Sequence, residues 1–265
     1  MKKRKTTSRH HDAVKDKPAA ARGAPSGRDW IYGWHTVLAA LNNPRREPGR
    51  LVTTPEAGAR VKAEIPTVSP EILTRPQLDT LLPENAVHQG IALNAPAPQD
   101  PALEDILAAE AETACVVVLD QVTDPHNVGA VLRSAAAFAA TAVIVQDRSA
   151  PPASGALAKA ASGALDIVPL IRVTNLARAM EQLGSAGFWR IGFDGAAKTA
   201  LGDAPLDGRV ALVLGAEGSG LRRLTQQHCD HLTRIAASGA LTTLNVSNAA
   251  AIALYETARR NTPKE

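Results

Sequence analysis

Residues Val210–Leu221 read VALVLGAEGSGL, a short apolar run that passes directly into a glycine-rich turn. Val210, Leu212, Val213 and Leu214, bounded by Gly208 and Gly215, spell a buried β-strand. Gly215, Gly218 and Gly220 give the backbone freedom and leave no side chain in a ligand's way, and Glu217 is the one charge in the turn. Bare backbone at the carboxyl end of a strand is where open α/β sheets bind small molecules. The turn matches neither familiar nucleotide loop. Its glycines run G-x-x-G-x-G rather than G-x-G-x-x-G, and Leu221-Arg222 stands where a P-loop needs Lys and Ser/Thr. A plain strand-to-helix turn would need fewer glycines and no acid.

Working outward, the same grammar repeats. An amphipathic helix is expected over Leu103–Glu112, then a buried strand, Cys115–Leu119, the turn-rich segment Asp120–Asn127 and a helix over Ala130–Phe138 opened by Gly129. Strand Ala142–Val145, helix Leu157–Ser162, strand Ile167–Leu170, helix Asn175–Leu183 and strand Trp189–Phe193 lead into the opening stretch. Helix Arg222–His228, strand Leu232–Ile235 and a long helix, Ser247–Arg260, close the series. This alternation predicts an α/β fold with a mostly parallel sheet covered on both faces. Upstream, a small α/β domain over 29–94 is expected, with helices Trp34–Leu41, Pro55–Ala63 and Pro76–Leu82. Its strands fall at Arg50–Thr53, Ile65–Val68 and Ile91–Leu93. The proline-rich 95–102 stretch reads as a semi-rigid linker to a second domain over 103–265.

The chain has 265 residues and a net charge of +3, but that charge is unevenly placed. Residues 1–28 hold nine Lys/Arg against two acids, so this basic and expectedly disordered tail is +7 while the remainder is −4. Such an arm either adds salt-sensitive phosphate binding or is simply a solvated leader. No run approaches a membrane span, the basic start lacks a signal peptide's apolar segment, and Cys115 and Cys229 form no metal or redox motif. A cytoplasmic protein with reduced thiols is expected. No metal-ligand spacing and no G-x-S-x-G elbow is present, which argues against a metal or serine hydrolase.

Three strand–loop–helix segments, Leu119–Arg133, Leu214–Leu221 and Ile235–Asn248, share one sheet edge in a parallel sheet. They bring together Asn127, Arg133, Glu217, Asn245 and Ser247, with backbone from Gly215 and the Ile235–Leu244 loop. Arg133 interrupts an apolar helix face; it suits an anion such as a phosphate, or an ion pair with Glu217 or Asp120. Ser247 or Asn248 is a natural N-cap of the closing helix. Capping does not account for Asn245, which could instead meet a ligand edge as donor and acceptor. His126 adjoins the site, where a turn-stabilising or solvent-facing role is the commoner one.

These residues also carry a resemblance. Asp124-Pro125-His126-Asn127-Val128-Gly129-Ala130, with Arg133-Ser134-Ala135, resembles the first motif of the SpoU (TrmH-like) RNA ribose methyltransferases. Leu212–Leu221 resembles their second motif and Leu244–Tyr255 their third, in the same order and spacing. Asp147-Arg148-Ser149, Val168–Met180, Arg223–Cys229, Tyr32-Gly33 with His35-Thr36-Val37, and His88-Gln89-Gly90 are similar to the branch acting on guanosine of 23S rRNA. Ala236, where a proline is expected, and Asn248-Ala249, in place of Val-Ala, depart from it.

The resemblance implies a sheet tied in a deep trefoil knot, a rare topology. It further implies S-adenosylmethionine held through backbone at Gly215, Ile235 and Leu244, dimerisation through the knotted domain, and a small RNA-binding domain in front. Arg133 would handle the ribose 2′-hydroxyl with Asn127, Glu217, Asn245 and Ser247 beside it, and Glu217 would partner Arg133. The implied activity is methyl transfer to a guanosine 2′-hydroxyl of 23S rRNA. A tRNA ribose methyltransferase, a non-catalytic RNA-binding assembly factor and, more distantly, a nicotinamide enzyme are the alternatives.

Overall fold

A computed structural model describes residues 30–47, 49–152, 156–237 and 244–261. The basic 1–28 segment and the middle of the 235–244 loop lie outside the described residues.

The N-terminal part builds a four-stranded sheet from β1 (Trp30–Tyr32), β2 (Arg50–Thr53), β3 (Glu71–Ile72) and β4 (Ile91–Asn94), in the order β1-β4-β2-β3. It carries α1 (Trp34–Leu41), α2 (Pro55–Glu64) and α3 (Arg75–Leu81). Thr54 caps α2 and Thr74 begins α3 in a capping box with Gln77, each followed by a proline in the first turn, where its missing N–H costs nothing. Segment 65–68 is not a strand. Pro66 removes a donor there, and the strand forms instead after Pro70, where Val52 and Thr53 pair with Glu71 and Ile72.

The C-terminal part begins with α4 (Leu103–Leu107) and continues β5 (Ala114–Asp120), α5 (Pro125–Ala137), β6 (Ala142–Gln146), α6 (Ala156–Ala161), α7 (Ala164–Ile167) and β7 (Leu170–Val173). Then follow α8 (Leu176–Ser185), β8 (Trp189–Phe193), β9 (Thr199–Ala200), β10 (Arg209–Gly215), α9 (Arg223–Gln227), β11 (His231–Arg234) and α10 (Val246–Asn261). The sheet order is β7-β6-β5-β10-β8-β11-β9, and every pairing is parallel. Alternate residues of β5 and β10 face opposite layers. Val117, Leu119, Leu212 and Leu214 pack with Val131, Leu132 and Leu254 of α5 and α10. Val116, Val118, Ala211 and Val213 pack with Leu176, Met180 and Leu183 of α8. Burial on both faces explains why these strands read as unbroken apolar runs.

Three elements differ from the sequence reading. Helix α4 stops at Leu107, because residues 108–112 are all exposed and offer no apolar face to bury. The segment Ile167–Leu170 divides: Ile167 ends α7, and the strand starts only after Pro169. Helix α5 begins at Pro125, five residues before Ala130. Asp124 and Pro125, expected within the turn-rich segment Asp120–Asn127, are its N-cap and first residue, and Asp124 Oδ1 accepts the His126 N–H at 3.0 Å. Gly129 therefore lies inside the helix, where a Cβ would come within 2.5 Å of the Ala160 Cβ.

The two sheets are joined by a buried ion pair. Arg46 grips Asp166 of α7 through Nε at 2.8 Å and Nη2 at 3.1 Å, while Asn43 donates to the same carboxylate at 2.8 Å. Arg46 also donates to the Pro96 carbonyl, and Arg45 pairs with Asp100 at 3.1 Å, so the 95–102 stretch is fastened on both sides.

Candidate active site

Parallel pairing places the carboxyl ends of β5 and β10 side by side, with Asp120 in register with Gly215. The loop after β10 then folds back on itself. Gly220 N–H bonds the Ala216 carbonyl at 2.9 Å, and a Cβ on Gly215 would lie 2.1 Å from the Gly220 carbonyl carbon. Gly215 is thus required by the loop's own crossing. Gly218 and Gly220, at φ 80° and 64°, have no atom of the described residues within 4 Å of where a Cβ would be, and both are exposed.

Four of the five polar residues singled out in the sequence meet here. Asn127, in the first turn of α5, donates to Glu217 Oε1 at 3.0 Å. Asn245 donates to the same oxygen and to Asn127 Oδ1 at 3.1 Å. Its own Oδ1 accepts the Ser247 N–H at 2.8 Å and the Ser247 hydroxyl at 2.5 Å, while the Asn245 carbonyl accepts the Ala249 N–H. Asn245 is therefore the N-cap of α10, the role the sequence reading gave to Ser247 or Asn248. Both hydrogen bonds to Glu217 fall on Oε1. Oε2 has no partner among the described residues.

Arg133 does not join this cluster, and its expected ion pair with Glu217 or Asp120 is absent. It is exposed and makes no ion pair or hydrogen bond among the described residues. The cause is helical phase: six residues beyond Asn127, it projects about 120° away around α5. Asp120 is instead wholly buried and held by Arg222, whose backbone N–H reaches it at 3.0 Å and whose guanidinium reaches it at 2.6 Å. Arg222 continues to Gln146 Oε1 at 3.2 Å, which also accepts from Gln121 at 3.1 Å. The sequence reading missed this Asp120–Arg222–Gln146 brace under the glycine loop. An acid ending one strand and an arginine opening the helix beyond the next loop were its only signal.

His126 is exposed and its ring has no hydrogen bond among the described residues. Burial pushes the Cys115 and Cys229 thiols up to about 12, so neither is a thiolate at neutral pH. Leu244 is exposed and Ile235 is half-buried against the core beneath α10. No group of three or more His, Cys, Asp or Glu among the described residues is placed to hold a metal ion.

Residues 114–255, which contain the whole cluster, match the SpoU rRNA Methylase family. The chain belongs to that family. Among its SpoU relatives, the 23S rRNA (guanosine-2′-O-)-methyltransferase RlmB of Vibrio parahaemolyticus is 42% identical over 245 residues, 88% of this chain and 97% of the relative. The protein of the same name from Pseudomonas syringae is 37% identical over 243 residues, 88% and 96% of the two chains. The fold matches that of the SpoU methyltransferase AviRb from Streptomyces viridochromogenes, solved with AdoMet, with a TM-score of 0.71 at 24% identity over 88% and 90% of the chains. It also matches an AdoMet-bound rRNA methyltransferase from Sinorhizobium meliloti, with a TM-score of 0.73 at 23% identity over 88% of each.

Proposed function

We propose that this chain transfers a methyl group from S-adenosylmethionine to the ribose 2′-hydroxyl of a guanosine in 23S rRNA. The observation that carries the reading is the convergence of Asn127, Glu217, Asn245 and Ser247 beside an open glycine loop, in a chain 42% identical to a protein bearing that name. The loop suits this donor. Its exposed backbone at Gly218 and Gly220 can approach an adenosine and an amino acid closely, and S-adenosylmethionine carries no phosphate for the missing P-loop lysine to bind. Backbone at Gly215, Ile235 and Leu244 is assigned to holding it.

When bound, the donor supplies an electrophilic methyl on a sulfonium. The chain's share is alignment and removal of one proton. Arg133 makes no ion pair or hydrogen bond among the described residues, and a guanidinium is a poor proton acceptor, so it orients the nucleotide through a phosphate rather than acting as the base. Glu217 is the one anion of the cluster. With both amides on Oε1, its Oε2 is the acceptor available to the 2′-hydroxyl proton. Asn127 and Asn245 fix that carboxylate, and Ser247 fixes Asn245.

The finer features of the family are part of the same proposal. The seven-stranded unit carries the trefoil knot, and the four-stranded unit is the RNA-binding domain. The knotted unit pairs with a second copy; exposed Leu244, Ile252 and Tyr255 at α10 give it apolar surface to bury, and light scattering on the purified chain tests the dimer. No described helix is long and apolar enough to cross a membrane; a cytoplasmic location is assigned on the proposed rRNA substrate alone. Mapping 2′-O-methylation across rRNA and tRNA in a strain lacking the gene tests the substrate. Loss of one guanosine mark in 23S rRNA is expected; loss of a tRNA mark with rRNA unchanged would overturn the assignment.

A further inference from the structure

The Tyr32-Gly33 and His88-Gln89-Gly90 motifs take no part in the cluster above, yet the fold brings them together. Gln89 Oε1 accepts the Trp34 N–H at 2.7 Å, capping α1 from another strand's entry turn. Gln89 does this from a left-handed φ of 53°, a conformation costly for a non-glycine residue and concentrated at ligand sites. Behind it, buried His88 locks the turn: Nδ1 accepts the Gly90 N–H at 3.1 Å and Nε2 donates to Asp79 at 2.9 Å. The exposed Gln89 amide is therefore rigidly placed, and its two N–H donors have no partner among the described residues.

It borders a cavity of about 450 Å³ on the four-stranded unit, floored by Trp34 and Gly90 and walled by Glu56, Arg60 and Arg75. The Arg60 guanidinium lies over the Trp34 ring, 3.8 Å from its centroid, and its side chain is 61% exposed, so the outer face is open. Its one ion pair among the described residues, to Glu64 at 3.6 Å, is long and solvent-exposed. Arg75 is exposed and has no ion pair or hydrogen bond among the described residues.

We propose that this cavity binds one unpaired nucleotide of the RNA substrate, its base stacked on Arg60 and its phosphate held by Arg75. Splayed bases of single-stranded RNA stack on arginine planes and present their edges for hydrogen bonding. Here the Gln89 amide donates to the edge and the Glu56 carboxylate accepts from it. Trp34 lies beneath the Arg60 guanidinium and backs it on the inner side. The assignment rests on the rRNA reading above, and adds an anchor point on the unit that does not carry the methyl-transfer cluster.

Fluorescence anisotropy of the full chain with fragments of unmodified 23S rRNA transcript tests it, alongside calorimetry with S-adenosylmethionine. Arg60→Ala and Arg75→Ala are each expected to weaken RNA binding about tenfold and leave the cofactor titration unchanged. Arg60→Lys, which keeps the charge but not the plane, is expected to remain at least fivefold weak. RNA affinities of both alanine variants within twofold of wild type would overturn the cavity assignment alone. Absence of rRNA binding by the wild-type chain, with cofactor still bound, would overturn the rRNA reading and this inference with it.

Discussion

Asn127 and Asn245, 118 residues apart in sequence, meet side chain to side chain at 3.1 Å, and each gives a hydrogen bond to Glu217 Oε1. Three loops are fastened by one carboxylate oxygen. That contact sits where α5, the β10 loop and α10 all begin, so it couples the shape of the glycine loop to two helix starts.

Asn245 holds two jobs that substitutions can separate. Asn245→Asp keeps an oxygen for the Ser247 N–H but loses both donors and sets a second carboxylate against Glu217. Methyl transfer is expected to fall at least tenfold with the melting temperature nearly unchanged. Asn245→Ala loses the cap as well, which costs about 1 kcal/mol. Steady-state kinetics and thermal melting on the two variants check the separation.

Arg133 is exposed and unpaired among the described residues, so Arg133→Ala is expected to change stability by less than about 0.5 kcal/mol. S-adenosylmethionine binding should stay within twofold and methyl transfer should be lost. Wild-type transfer with cofactor bound would remove Arg133 from the reaction.

Asp166 joins the two sheets from a position 3% exposed at its side chain. Asp166→Ala leaves the Arg46 guanidinium buried without its counter-charge, an arrangement that costs about 3–5 kcal/mol. The docked 95–102 stretch should be cut faster by limited proteolysis. Unchanged cleavage would show that the pair does not hold the units together.

His228 titrates above its ordinary 6.5, chiefly because it bonds the Leu224 carbonyl and secondly because it bonds Glu181. A pKa raised in the folded state contributes stability that is full below about 6.5 and is lost as pH rises through the folded value. Glu181 is 65% exposed at its side chain, so the effect is small. Melting of wild type and His228→Gln between pH 5.5 and 8.5 should show the wild type's advantage shrink as pH rises.

The parallel sheet was legible because β5 and β10 bury both faces, which writes strands as continuous apolar runs, CVVVL and VALVL. The polar cluster was legible for a related reason: loops at one edge of a parallel sheet must be neighbours. What failed was phase and context. Asp124-Pro125 breaks one helix or begins another, and only the chain beyond decides which. Arg133 and Glu217 could be assigned to one edge, but whether they touch depends on rotation about α5. The Arg46–Asp166 pair spans 120 residues with no periodic signal, and Asp166 in α7 fell beside a segment read as a strand.

The central claim is tested most directly by incubating the purified chain with unmodified 23S rRNA and isotopically labelled S-adenosylmethionine, then analysing the digested nucleosides by mass spectrometry. Label in 2′-O-methylguanosine, at no more than one per rRNA molecule, is the result expected. Label on a base, label accepted only by tRNA, or no transfer while the cofactor binds would contradict it.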